Sequence, residues 1–300
     1  MSANDNRSTP LLIEIAIEAK SAADQTSLAR VLSSLAAENA AIGVRSDPQS
    51  GQLVLSATHP AHLTSTLEKV RRIYAVEVNI GAPQVAYRET ITGSTTVGYT
   101  HRRLVNATGE FARVVMKAEP MPYDGGFRFI NRASAAALPE RWIPGVEAGI
   151  STALASGVVI GFPVVDIAVT LVDAAWHDTD SSAEAFELAA VTGMRELLAK
   201  SEPVVLEPIM KVEVAGPEQF LGPIVGDLNA RRGQIVESKT RGAAKIIVAL
   251  VPLANLLDYA EALRALSSGS ATFSMDFDHF ARVRSPDNDP QYPPAIGMRA

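Results

Sequence analysis

Near each end, the chain repeats one order of hydrophobic patterns: strand, helix, strand, strand, helix, strand. Residues 11–19 (LLIEIAIEA) alternate as a strand with Glu14 and Glu18 on one face. Ser21 and Asp24 form the spacing of a capping box and open a helix whose stripe is Leu28, Val31, Leu32 and Leu35. Strands are predicted near 42–47 and 52–57 around a Pro48/Gly51 turn. A helix near 61–73 carries Leu63, Leu67 and Val70, and a strand near 75–80 ends the unit. Few topologies bury the apolar faces of such a series. The split βαβ arrangement of a ferredoxin-like domain is the one that matches it.

The far end repeats the order. A strand at 205–214 leads into a helix begun by Pro217 and bearing Phe220, Leu221, Ile224, Val225 and Leu228. Strands near 234–239 and 244–251 follow, then a helix with Leu253, Leu256, Leu257, Leu263 and Leu266, and a strand at 271–279. The middle block differs. Its clearest strand is 164–172, with Val165, Ile167, Val169 and Leu171 on one side. Ser181 and Glu184 are spaced to cap a helix carrying Phe186, Ala189, Ala190, Gly193 and Leu197. The expected organisation is therefore 1–80 ferredoxin-like, 81–203 a different α/β block, 204–284 ferredoxin-like, and 285–300 a Pro/Asp/Asn-rich disordered tail.

Composition narrows the chemistry. The 300 residues include no cysteine, which excludes disulfide scaffolds, thiol nucleophiles and Cys-ligated metal sites. The formal net charge of −6 argues against a general polyanion binder but leaves room for local basic patches. The polar start MSANDNRSTP has no apolar signal core, and the run from Gly157 to Val172 is too short and too interrupted to span a bilayer. A cytoplasmic location without membrane contact is expected. No Gly-Lys pair occurs, so the phosphate-cradling loop of nucleotide hydrolases is missing and this polypeptide alone is expected to bind no nucleotide.

Among candidate residues, His59 and His62 sit at a predicted helix start, where two solvent-facing histidines are the simpler reading than a metal pair. His177, Asp178 and Asp180 could form an acid–base or metal cluster, but no further partner is visible and an exposed loop tip before a capped helix is the simpler reading. His101, Arg102 and Arg103, with Arg113 and Lys117 beyond, concentrate positive charge, as a phosphate contact or as a solvated face. Arg231 and Arg232 end a helix, where cations meet the dipole and Gly233 marks a stop; contact with an anionic partner is a second role open to them. No metal or cofactor is expected.

Several stretches go beyond pattern. VNIGAPQVAYRETI (78–91), GFPVVDIAVTLVD (161–173), WHDTDSSAEAF (176–186), LEPIMKVEV (206–214), GDLNARRGQI (226–235), VPLANLLDYAEALRAL (251–266) and ATFSMDFDHF (271–280) closely resemble the translation elongation factor G family. The resemblance covers nearly the whole chain and corresponds to the family's third, fourth and fifth domains. It implies two ferredoxin-like βαββαβ domains flanking a ribosomal-protein-S5-like α/β domain, an α+β fold overall. It also implies that the family's GTPase and β-barrel domains are absent.

The resemblance carries residues over only where the motifs match. The family's fourth domain ends in loops that enter the decoding centre. One holds a histidine in a setting matched by Trp176-His177-Asp178-Thr179-Asp180-Ser181-Ser182, which makes His177 the leading RNA-facing candidate. The other is glycine-rich in the family, whereas here it reads Val105 to Arg113 with Asn106 and Ala107 at glycine positions, Thr108 for an arginine and Glu110 for a glutamine. A carboxylate there opposes phosphate binding. The expected contacts are thus His177, Asp178, Asp180, Gly109 and Glu110 through the resemblance, and His101, Arg102, Arg103, Arg231 and Arg232 through their charge, with the ribosome, its rRNA and the decoding-site tRNA–mRNA as the partners the resemblance implies. The expected function is ribosome binding near the factor site without GTP hydrolysis by this chain. A fragment of a full-length GTP-dependent translocase and a degenerate paralogue serving as a protein-binding scaffold are the alternatives.

Overall fold

The computed structural model describes residues 10–21, 24–47, 51–105, 108–241 and 244–283. The tail expected from 285 onward, Pro48 of the expected turn, and Asn106 and Ala107 of the hairpin loop lie outside them. Two compact units emerge, one from the residues up to Ala86 together with Glu207–Ala281, the other from Tyr87–Leu206 with the chain from Arg282.

The first unit holds both ferredoxin-like repeats. In the N-terminal one, β1 (Ile13–Ala19) points Ile13, Ile15, Ile17 and Ala19 inward, as its alternation requires. It lies between β3 (Leu53–Ala57) and β4 (Val78–Ile80), with β2 (Ile42–Ser46) outside β3, and β5 (Gln84–Val85) adds a short further pairing to β1. Helix α1 (Gln25–Glu38) buries the stripe Leu28, Val31, Leu32, Leu35. The Ser21–Asp24 bond exists, with the Asp24 amide donating to Ser21 Oγ at 3.2 Å, one step ahead of the α-helix proper. Helix α2 (Pro60–Ile73) buries Leu63, Thr66 and Val70, whereas Leu67 is only partly buried. Its N-cap is His59, whose Nδ1 accepts from the Ala61 amide at 3.0 Å. His62 Nδ1 lies 2.9 Å from Thr58 Oγ1. The two histidines are therefore partly buried groups bonded at the helix start, not solvent-facing ones.

The C-terminal repeat has the order β12-β13-β11-β14, the same topology as β2-β3-β1-β4. Its strands are β11 (Pro203–Gly216), β12 (Gln234–Arg241), β13 (Ala244–Pro252) and β14 (Thr272–Arg282). Pro217 does not begin an α-helix. A 3-10 turn over Glu218–Phe220 intervenes, and α5 (Leu221–Ala230) buries only Ile224 and Leu228. Likewise Leu253–Leu256 form a 3-10 turn before α6 (Tyr259–Leu266). The left-handed residue after α5 is Arg232 at φ 63°; Gly233 is required for space, since a Cβ there would meet Leu228 O at 2.5 Å.

The second unit is a four-stranded sheet of order β7-β8-β10-β9 with two helices on one face. Strands β7 (Thr95–Val105) and β8 (Thr108–Pro120) form a long hairpin paired from Thr95↔Ala118 to Val105↔Thr108. Strand β9 (Phe127–Asn131) runs parallel to β10 (Ile167–Ala175), and α3 (Ile143–Ser156) connects them. Strand β10 starts three residues later than expected, after Asp166 at φ 56°, and its register on β8 shifts between Leu171 and Asp173. That bulge lets Leu171 and Ala174 both face the core. Helix α4 (Ala183–Lys200) packs on α3 at glycines: a Cβ on Gly145 or Gly149 would fall well inside contact distance of the Ala183 or Glu187 carbonyl. Strand β6 (Arg88–Ile91) pairs with the first residues of β11. This is the S5-like α/β layer of an α+β protein.

Candidate functional site

The sequence-predicted residues of the second unit gather at the closed end of the β7–β8 hairpin. The loop 176–182 between β10 and α4 is fastened to that end by reciprocal bonds. Ser181 Oγ donates to the Phe111 carbonyl at 2.6 Å, and the Phe111 amide donates to the Asp180 carbonyl at 2.7 Å. Ser181 Oγ also accepts from the His177 amide at 2.8 Å, which closes the loop on itself. Since Ser181 is used in this way, the cap of α4 passes to Ser182, whose Oγ accepts from the Ala185 amide at 3.1 Å. The expected Ser181–Glu184 cap is thus displaced by one residue.

Gly109 is where the two segments come closest. A Cβ there would stand 2.6 Å from Asp180 Cγ, so any larger residue would displace the carboxylate from its present position. Asp180 Oδ1 accepts from Thr179 Oγ1 at 2.8 Å, and the same hydroxyl lies 3.1 Å from His177 Nδ1. A hydroxyl has one hydrogen, and it goes to Asp180. With that hydrogen committed, His177 Nδ1 faces Thr179 as a donor and lies 3.5 Å from Asp180 Oδ2. The His177 side chain is 58% exposed. Among the described residues only Nδ1 has a partner, an arrangement suited to hydrogen-bonding a ribose hydroxyl or a phosphate through Nε2.

The loop is braced from beneath by aromatic packing. Phe186 stacks on Trp142 at 5.4 Å between centroids, and Trp176 meets Trp142 edge-on at 5.0 Å. The Arg141 guanidinium lies 4.4 Å over Trp142, and Trp176 Nε1 donates to the Ala136 carbonyl at 3.0 Å. No spacing rule pointed to this stack, although the chain has just 2 tryptophans and both are in it, a signal open to composition.

The positive residues divide by strand face. His101 points to the helix side, its side chain 15% exposed, and Nε2 lies 2.9 Å from Glu110 Oε2. Glu110 is therefore partnered within the hairpin and does not project alone toward a ligand. Arg102 and Arg103 are exposed, and their guanidinium groups have no ion pair or hydrogen bond among the described residues; Asp178 is exposed too. Arg113 pairs with Asp173 at 3.3 Å and Lys117 with Glu119 at 2.7 Å.

Arg231 and Arg232 belong to the other unit and their guanidinium groups are used internally. Arg231 bonds Asp227 (2.8 Å), Asp258 (2.6 Å) and the Asn255 carbonyl (2.6 Å), and lies 5.2 Å over Tyr259. Burial opposes its charge, but the bonds to Asp258 and Asp227 outweigh that and hold the guanidinium firmly protonated. Bonding to Arg231 in turn keeps the Asp258 carboxyl below its usual range. Arg232 makes two bonds to Glu207, a carboxylate whose side chain is only 4% exposed.

Sequence reasoning missed Glu89. It is fully buried, and its two oxygens accept from five consecutive amides, Val158 to Phe162, at 2.7–3.2 Å. Among the described residues no group of three or more histidines or carboxylates is placed to hold a metal ion, and no helix is long and apolar enough to cross a membrane.

Comparison with known proteins accounts for most of the chain. Residues 9–82 match the family model described as Elongation Factor G, domain III, residues 83–202 that of Elongation factor G, domain IV, and residues 204–289 that of Elongation factor G C-terminus. An elongation factor G of Rhodopseudomonas palustris (strain BisB18) is 50% identical over 272 residues, covering 91% of this chain and 39% of the relative. A crystal structure from Thermus thermophilus superposes with a TM-score of 0.70 at 30% identity, covering 92% of this chain and 41% of the other. The chain spans about two fifths of the length of each.

Proposed function

Because the chain belongs to the elongation factor G family through its domain III, domain IV and C-terminal regions, we propose that it is a translation protein that binds the ribosome near the factor and decoding site. The hairpin end and the loop 176–182 are the part that meets rRNA and the tRNA–mRNA pair. The observation that carries this reading is the fastening of His177 to the hairpin. The bonds from Ser181 to Phe111 and from Phe111 to Asp180 join both loops, and they leave the His177 side chain exposed at the end that also bears Arg102 and Arg103. An RNA-facing group held in one rotamer loses little freedom on binding. Gly109 and Asp180 serve by shaping this end and Glu110 by holding His101, while Asp178 stands exposed beside His177.

Arg231 and Arg232 are not part of the proposed surface, since their charges are already matched by Asp227, Asp258 and Glu207. The chain contains no Gly-Lys pair, so its association is expected without GTP hydrolysis of its own, in the cytoplasm where ribosomes are. Co-sedimentation with purified ribosomal subunits over a salt series tests the reading. The chain pellets with subunits at low salt, His177→Ala reduces the bound fraction several-fold, and GTP makes no difference. Failure of the chain to pellet at any salt refutes it.

A further inference from the structure

We propose that the helix-free face of the β7-β8-β10-β9 sheet is a second RNA-binding surface, one that tracks a single strand away from the hairpin end. The inference deepens the ribosome reading and rests on it. Strand alternation sorts the residues. Val97 and Tyr99 on β7, and Ala112, Val114, Met116 and Ala118 on β8, pack toward the helices. Their neighbours Arg102, Phe111, Arg113 and Lys117 therefore occupy the opposite face, together with Arg128 on β9. Arg102 and Phe111 are directly paired across the hairpin, so a cationic and an aromatic residue are neighbours on this face. Such a pair suits a base stacked over a backbone contact.

Charge separates the two sides of this layer. Helices α3 and α4 carry Glu147, Glu184, Glu187 and Glu196 against Arg195 and Lys200. The open face carries four cations against Glu119 and Asp173. Within a chain of net charge −6, the sheet face is thus locally positive. Arg102 and Arg128, the cations at its two ends, are both exposed and unpaired among the described residues. Arg113 and Lys117 remain 42% and 39% exposed beside their carboxylates. From Gly109 to Glu119, whose β9 neighbour across Ala168 is Arg128, β8 extends about 34 Å at ~3.4 Å per residue. A strand leaving the tip would meet positive charge along that length.

The test uses the full chain and a fluorescein-labelled, unstructured single-stranded RNA of about 16 nucleotides, near the upper end of such sites. Fluorescence anisotropy is read across salt. Arg128→Ala is expected to weaken binding about three-fold or more, and to lower the slope of log K against log salt by roughly 0.7, one single-strand phosphate contact. Its melting temperature should not change, as its side chain is exposed. Arg102→Ala combined with Arg128→Ala should weaken binding further. Unchanged affinity and slope in Arg128→Ala and Lys117→Ala overturn the proposal, as does absence of RNA binding by the wild type. The ribosome reading fails separately, through subunit co-sedimentation. If His177→Ala loses ribosomes while Arg128→Ala binds RNA normally, only the sheet surface is refuted. If Arg128 matters for RNA but the chain never pellets with subunits, the ribosome reading is refuted, and with it the assignment of this surface to ribosomal RNA, while a single-strand contact at Arg128 is established on its own.

Discussion

The Glu89 carboxylate and the Val158 amide, 69 positions apart, meet at 2.7 Å, and four further amides close around the same carboxylate. Oε2 takes Val158 and Val159, whereas Oε1 takes Ile160, Gly161 and Phe162. A fully buried anion is tolerated because each oxygen has its backbone donors.

Glu89→Gln is therefore expected to destabilise the second unit by about 3 kcal/mol, since an amide nitrogen in place of one oxygen sets donor against donor and leaves buried amides unpaired. Urea denaturation followed by tryptophan fluorescence measures it, both tryptophans lying in that unit. A midpoint within error of wild type would show that the carboxylate is dispensable.

Gly109→Ala should separate the loop 176–182 from the hairpin, because the new methyl would overlap Asp180. Stability is expected to fall by about 1–3 kcal/mol, the range of overpacking. Ribosome pelleting should drop as far as in His177→Ala. Gly109→Ala with Asp180→Gly, which clears the overlap, should recover stability in the same melts.

Ser181→Ala removes the donation to Phe111 together with the acceptance that holds the His177 amide. A loss of about 1–2 kcal/mol is expected. The amides of 177–182 should exchange faster with deuterium, while those of α4, capped by Ser182, stay protected.

Arg232→Ala strands Glu207 as a buried carboxylate and should cost about 2–4 kcal/mol, below the full cost of a broken buried pair because Arg232 is itself 38% exposed. Adding Glu207→Gln should restore much of that loss in thermal melts. Additive losses would show that the pair is not coupled.

Burial, followed by repulsion from His62, holds His59 below the usual histidine range, with Asp276 acting in the other direction. Its capping role requires an unprotonated Nδ1. As pH falls through about 6.5, the unfolded chain takes up a proton that the folded His59 refuses, so stability present at neutral pH is lost toward acid. His59→Asn keeps a capping acceptor without the titration. Its melting temperature should drop less than wild type between about pH 7.5 and 5.5.

The ferredoxin-like repeats were legible because each strand and helix shows its own period: alternate Ile13, Ile15 and Ile17, and the α1 stripe from Leu28 to Leu35. Helix α3 was not. Its glycines at 145 and 149 weaken helix propensity by about 1 kcal/mol each, and they occupy two positions of the very stripe, with Val146, Ile150, Ala153 and Leu154, that the helix buries. The long hairpin was hidden by its own charges, since His101-Arg102-Arg103 reads as a patch until pairing assigns alternate residues to opposite faces. Of the candidate site, His177 and Gly109 were found through motif resemblance. Glu89 escaped because its partners are main-chain amides, which leave no side-chain spacing to read.

The register shift at Val172 bears on how this domain can change over time. One additional residue re-phases the end of β10, so that Asp173 reaches Arg113 while Ala174 fills the interior. Deleting Val172 would remove the extra residue and leave Asp173 opposite Val115 and Ala174 opposite Val114, in ordinary alternation after Leu171. Loss of one residue at this point is therefore survivable, and lineages should keep the inward facing of Leu171 and Ala174 more strictly than the count of residues between them.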